Sequence, residues 1–109
     1  MSVMTELNEI KRDGAKAQKN SGRGQHQKGD AILGPFCYDI KEYARSFGVS
    51  IAVWGKICTD AYRSGNMIPA LKLVLGAGDK KTRVWVIGDE MFKEMLEAWE
   101  EKYGEANQG

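Results

Sequence analysis

The chain has little of several things that would set its class. Its 109 residues include two cysteines and one histidine. Cys37 and Cys58 make no Cys-x-x-Cys pair and no zinc-like pattern with His26, which excludes a disulfide framework and the common structural zinc sites. Both lie in apolar segments and read as reduced core residues. No apolar run approaches the roughly 20 residues that a membrane-crossing helix needs. No apolar stretch of signal-peptide type stands near the N-terminus. These absences predict a cytoplasmic protein without a membrane partner. There is no internal repeat and no strict low-complexity tract.

What is present is an ordinary globular composition, 42% apolar and 28% charged, on a length that suits one domain with a real core. The net charge of +1 hides an asymmetry. From Lys11 to Lys28, Lys11, Arg12, Lys16, Lys19, Arg23 and Lys28 face Asp13 alone. From Asp89 onward, Asp89, Glu90, Glu94, Glu97, Glu100, Glu101 and Glu105 outweigh Lys93 and Lys102. One basic end can hold a polyanion while the acidic end repels it, although two solvated faces of opposite sign give the same pattern.

Periodicity and punctuation divide the chain into seven elements. Residues 5–13 predict a short helix with Thr5 as its cap. Residues 14–29, polar and glycine-bearing, predict a basic loop or arm. Residues 30–33 and 36–43 read as strands around a Gly34-Pro35 turn. Residues 50–64 predict a helix capped by Ser50, with Ile51, Trp54, Ile57, Cys58, Ala61 and Tyr62 on one stripe; Gly65-Asn66 ends it. Residues 70–76 and 82–88 predict a hairpin of buried strands. Asp89 opens a last helix whose Met91, Phe92, Met95, Leu96, Trp99 and Tyr103 are predicted to face inward. Trp54, Trp85 and Trp99 read as core. The order predicts one α/β sandwich on a mixed sheet flanked by helices, with a helix and basic arm at 1–29, a core at 30–88 and a C-terminal helix at 89–109.

The segment KGDAILGPFCYDIKE (28–42) carries charge where a packed strand should avoid it. With Gly34 and Pro35 central in the turn, Leu33 faces Phe36, Ile32 faces Cys37, Ala31 faces Tyr38 and Asp30 faces Asp39. Opposed residues share a face, with Cβ atoms about 5 Å apart. Two carboxylates so placed repel. A divalent cation reverses the sign, because hard cations prefer carboxylate oxygens. Lys41, two residues beyond Asp39, lies on the same face. An ammonium there can orient or polarise an attacking water, or steady a phosphate. The plainer alternative is that Asp39 pairs with Lys41 or Lys28 and no chemistry follows.

Three stretches carry a resemblance: NSGRGQHQKGDA (20–31), YDIKEYARSF (38–47) and VWGKICTDAYRSGNMIPALKLVLG (53–76). In order and spacing they resemble the PD-(D/E)XK nuclease superfamily, and within it the archaeal Holliday junction resolvases and related small phage nucleases. Asp-Ile-Lys stands where Glu-x-Lys is commoner. The resemblance implies a restriction-endonuclease-like α/β sandwich and a structure-specific, metal-dependent DNA endonuclease. It makes Asp30, Asp39 and Lys41 catalytic. It makes Asp30, Asp39 and the Ile40 carbonyl ligands of Mg²⁺ or Mn²⁺. It also calls for an acid on the N-terminal helix, for which Glu9 is the first candidate and Glu6 the second. Lys19, Ser21, Arg23 and Lys28 would contact DNA. Lys56 matches a polar helix position that touches the site or DNA, and equally fits an i,i+4 pair with Asp60. The partner would be branched or junction DNA, bound by a homodimer, since two symmetric cuts need two sites. Two other readings stand beside this one: a DNA-binding protein that keeps the fold without turnover, and a protein-interaction module working through the acidic C-terminal helix.

Overall fold

The computed structural model describes residues 3–18 and 29–108. It is an α/β fold with three helices and a five-stranded mixed sheet: α1 (Val3–Asp13), β1 (Lys16–Ala17), β2 (Ala31–Leu33), β3 (Phe36–Tyr43), α2 (Ile51–Arg63), β4 (Ile68–Leu75), β5 (Thr82–Ile87) and α3 (Asp89–Gln108). The strands lie in sequence order across the sheet. Only β3 and β4 run parallel, and α2 makes the crossover that a parallel pair requires. None of the helices is long and apolar enough to cross a membrane among the described residues.

Strand alternation distributes the core to two faces. On one, Cys37, Leu71 and Leu73 pack against Ile57 and Ala61 of α2. On the other, Ala31, Tyr38, Ile40, Ala70 and Val74 gather around Ile10 of α1. The β2–β3 register has Ala31 facing Tyr38, Ile32 facing Cys37 and Leu33 facing Phe36, as a turn centred on Gly34-Pro35 demands. Ser50 caps α2 by accepting from the Val53 amide at 3.1 Å.

Several sequence expectations need correction. α1 starts at Val3, so Thr5 lies inside it rather than capping it. The supposed loop contains β1, a two-residue strand in which Lys16 faces Ile32; two residues are too few to leave a periodic signal. On α2, Ile57 and Ala61 are buried but Ile51 and Tyr62 are exposed, because only part of the stripe meets the sheet.

A further correction concerns α3. Its apolar stripe does not face inward: Phe92, Met95, Leu96, Trp99 and Tyr103 are all exposed. α3 makes only marginal contact with the remaining elements, so its own chain leaves the stripe uncovered. Trp99 and Trp85 are accordingly exposed rather than core. Trp85 rests edge-on against Tyr38, ring centres 4.8 Å apart. Among the described residues both cysteines are free, with Cys37 buried and Cys58 half-buried.

Candidate active site

Asp30 sits just before β2, and its backbone is held from both sides. Its N–H donates to the Tyr38 carbonyl at 2.9 Å, and its carbonyl accepts from the Gln18 amide at 3.0 Å. Tyr38 is the residue that Ala31 already faces, so the pairing slips by one at Asp30, as an inserted residue makes it do. The slip turns the carboxylate toward the β3 backbone, where Oδ2 accepts from the Ile40 amide at 2.7 Å. Gly29 makes this possible. Its φ is +87°, and a Cβ there would lie 2.8 Å from the Cys37 sulfur, so a side chain would be both strained and crowded.

Asp39 is buried in the middle of β3, on the α2 side of the sheet. Lys56 of α2 reaches toward it, 3.8 Å from Oδ2, while bonding Asp60 Oδ2 at 2.8 Å. Lys56 thus makes the i,i+4 pair and approaches the carboxylate cluster as well. Burial works against its charge, but the Asp60 bond and the field of Asp39 outweigh that and raise its pKa.

Both carboxyls lie above their ordinary range, chiefly because they are buried. Burial pushes Asp30 up to about 6; the Ile40 amide opposes this, Asp39 and Glu6 add to it, and Lys41 lowers it. Burial also raises Asp39, against the pull of Lys56 and Lys41. The fold therefore brings together Asp30, Asp39, Lys41 and Lys56, with Glu6 within electrostatic reach of Asp30.

Glu9 is not part of this cluster, which corrects the first choice of helix acid. It is buried beneath α1 on the other face. Its carboxylate takes both arms of Arg83, each at 2.9 Å, and the Lys72 ammonium at 2.8 Å. The Arg83 bonds hold it down at about 2, against burial and with help from Lys72. The cause is Lys72, a β4 lysine only 1% exposed, which needs counter-charges. It has two, since Asp13 bonds it as well. The Tyr38 hydroxyl donates to the other Asp13 oxygen at 2.8 Å, and its pKa is raised by burial and by Asp13. Sequence reasoning missed this network. Its signal was a lysine inside the apolar run ALKLVLG. Glu6, one helical turn earlier, is the α1 carboxylate on the Asp30 side.

Two carboxylates, one backbone carbonyl at Ile40 and waters make a donor set suited to Mg²⁺. Burial is the main cause of both raised carboxyls, and a divalent ion between them would favour their charged forms. Among the described residues no three His, Cys, Asp or Glu side chains converge closely enough to hold a metal; the two aspartates would be the side-chain ligands. Lys19, Ser21, Arg23 and Lys28, expected to contact DNA, lie outside the described residues. No protein-family profile matches the chain, and no curated protein or solved structure is significantly similar to it.

Proposed function

We propose that this chain is a metal-dependent DNA endonuclease of the PD-(D/E)XK type, acting on branched DNA in the manner of Holliday junction resolvases. One observation carries the reading: two half-buried to buried carboxyls, both shifted toward their protonated forms, stand near Lys41 of β3 and Lys56 of α2. Lys56 and the Ile40 amide compensate the two charges in part, yet both carboxyls remain raised, so their burial costs stability that a bound cation would recover.

A divalent ion held by Asp30, Asp39 and the Ile40 carbonyl would neutralise phosphate charge and lower the pKa of a water. The protein's own groups do the rest. The Ile40 amide fixes one Asp30 oxygen. Lys56 draws on Asp39 from α2. Lys41 meets the phosphate charge that grows during phosphodiester hydrolysis or orients the attacking water. The basic stretch from Lys16 to Lys28 would hold the backbone of the DNA.

The experiment is incubation with four-way, flapped and linear DNA, with and without Mg²⁺ or Mn²⁺. Metal-dependent cleavage of branched DNA that Asp39→Asn and Lys41→Ala each abolish, in folded protein, is the expected result. Unchanged rates in either variant would sink the assignment. The alternative, DNA binding without turnover, draws on the two-carboxylate set, which no third ligand side chain joins among the described residues. Junction binding with no cleavage under either metal would select it.

A further inference from the structure

We infer that a second copy of this chain covers the exposed apolar side of α3, each copy laying its helix against the open part of the other's sheet. This inference does not depend on the nuclease reading. Its basis is a pair of complementary surfaces on one chain. The first is the α3 stripe. Phe92 is 56% exposed, Trp99 51% and Met95 48%, with Leu96 and Tyr103 alongside. The second is a hollow of about 240 Å³ on the α1 face of the sheet, lined by Leu33, Phe36, Ala70, Trp85, Ile87 and Met95. α1 covers the neighbouring part of this face but not the hollow. Met95 belongs to both surfaces and joins them into one apolar angle between helix and sheet.

The occupant follows from area, charge and symmetry. Aromatic side chains carry roughly 150–250 Å² each, so half-exposed Phe92, Trp99 and Tyr103 leave roughly 300 Å² uncovered. Met95, Leu96 and Trp85 add about as much, which gives on the order of 1,200 Å² for two copies, where specific interfaces begin. The acids do not oppose this. With Phe92 and Trp99 seven residues apart on the seam, Glu94, Glu97, Glu100 and Glu101 fall on the far side of the helix, and the seam is flanked by Met91, Leu96, Ala98 and Tyr103. Two acidic faces would point away from each other. A ridge and a hollow on the same chain, repeated by a two-fold axis, bury both at once. Helices in proteins draw most of their stability from packing an apolar face, and α3 packs its own face little within its chain.

Sedimentation equilibrium of the full chain at about 1–50 µM tests the inference. A dimer is expected. Trp99→Glu should raise its dissociation constant about 30-fold or more, as loss of a central aromatic anchor does. Leu33→Gln and Ile87→Gln, checked for fold by circular dichroism, should weaken it as well. A wild-type monomer throughout this range overturns the inference, and so does a dimer that Trp99→Glu leaves intact. A dimer that survives both hollow substitutions overturns the docking on the sheet. Trp99 lies on a helix that stands off the globule, so its variant remains decisive if a hollow variant loses its fold.

Discussion

Removing the charge of Asp30 should stabilise the metal-free protein. The carboxyl rises from 3.8 to about 6 on folding. For an acid, this means that the charged form is disfavoured in the native state. The cost is complete above about pH 6, shrinks as the pH falls, and vanishes below 3.8, where both states are protonated. At about 1.4 kcal/mol per pH unit, the full effect is about 3 kcal/mol. Asn keeps an oxygen for the Ile40 amide and discards the charge. Asp30→Asn should therefore gain up to about 3 kcal/mol at pH 8 in EDTA, or roughly 10 °C or more in Tm for a domain of this size. The gain should fade toward zero near pH 4. Saturating metal acts in the opposite sense. At about 100 times its dissociation constant it would return ~2.7 kcal/mol to the wild type, and far less to a variant lacking one ligand. Urea titrations at pH 8 and pH 4, with and without Mg²⁺, read all of this without any DNA. A variant less stable than wild type at pH 8, or a gain that does not depend on pH, would refute the argument.

Three further outcomes are expected. Glu9→Gln should cost about 3 kcal/mol at pH 7 by leaving Arg83 and Lys72 short of a partner; because the folded pKa is lowered from 4.5 to about 2, the loss should shrink as pH falls through that window, measured by denaturant unfolding. Gly29→Ala should destabilise by about 1–3 kcal/mol, since it combines a left-handed backbone with a close approach to Cys37, and cleavage should fall with it as Asp30 is displaced; full activity with unchanged Tm would count against the close fit. Replacing Lys19, Arg23 and Lys28 together by alanine should weaken DNA binding for all sequences and flatten its salt dependence by about one unit of slope per lost phosphate contact; an unchanged slope would remove this stretch from the interface.

The hairpin at the site was legible because a two-residue turn fixes strand register by arithmetic. Gly34-Pro35 set every pair from Leu33–Phe36 outward, and the structure keeps them up to Ala31–Tyr38. The cap and span of α2 were legible for a similar local reason. What failed depended on partners far along the chain. The α3 periodicity identified an apolar stripe but not what it meets. Glu6 and Glu9 differ by three residues on one helix, and the positions of Lys72 on β4 and Arg83 on β5 decide which of them is drawn beneath it. The slip at Asp30 also depends on tertiary pairing, since Gln18 and Tyr38 hold it from two different strand regions. Nothing in the pattern of 28–42 alone announces that.

The Glu9–Lys72–Asp13 cluster has a consequence for the order in which the chain can fold. Among its described side chains, α1 brings Ile10 to the hydrophobic core and Glu9 and Asp13 to the ionic network beneath it. Arg83, which grips Glu9 with both arms, lies 74 residues later. At about 5–20 residues per second, a nascent helix waits roughly 4–15 s before that arm is made. For most of this interval α1 lacks β4, and throughout it α1 lacks a complete β5. The β3–α2–β4 unit is then the natural nucleus, and α1 closes over it last, although it leaves the ribosome before any of the strands.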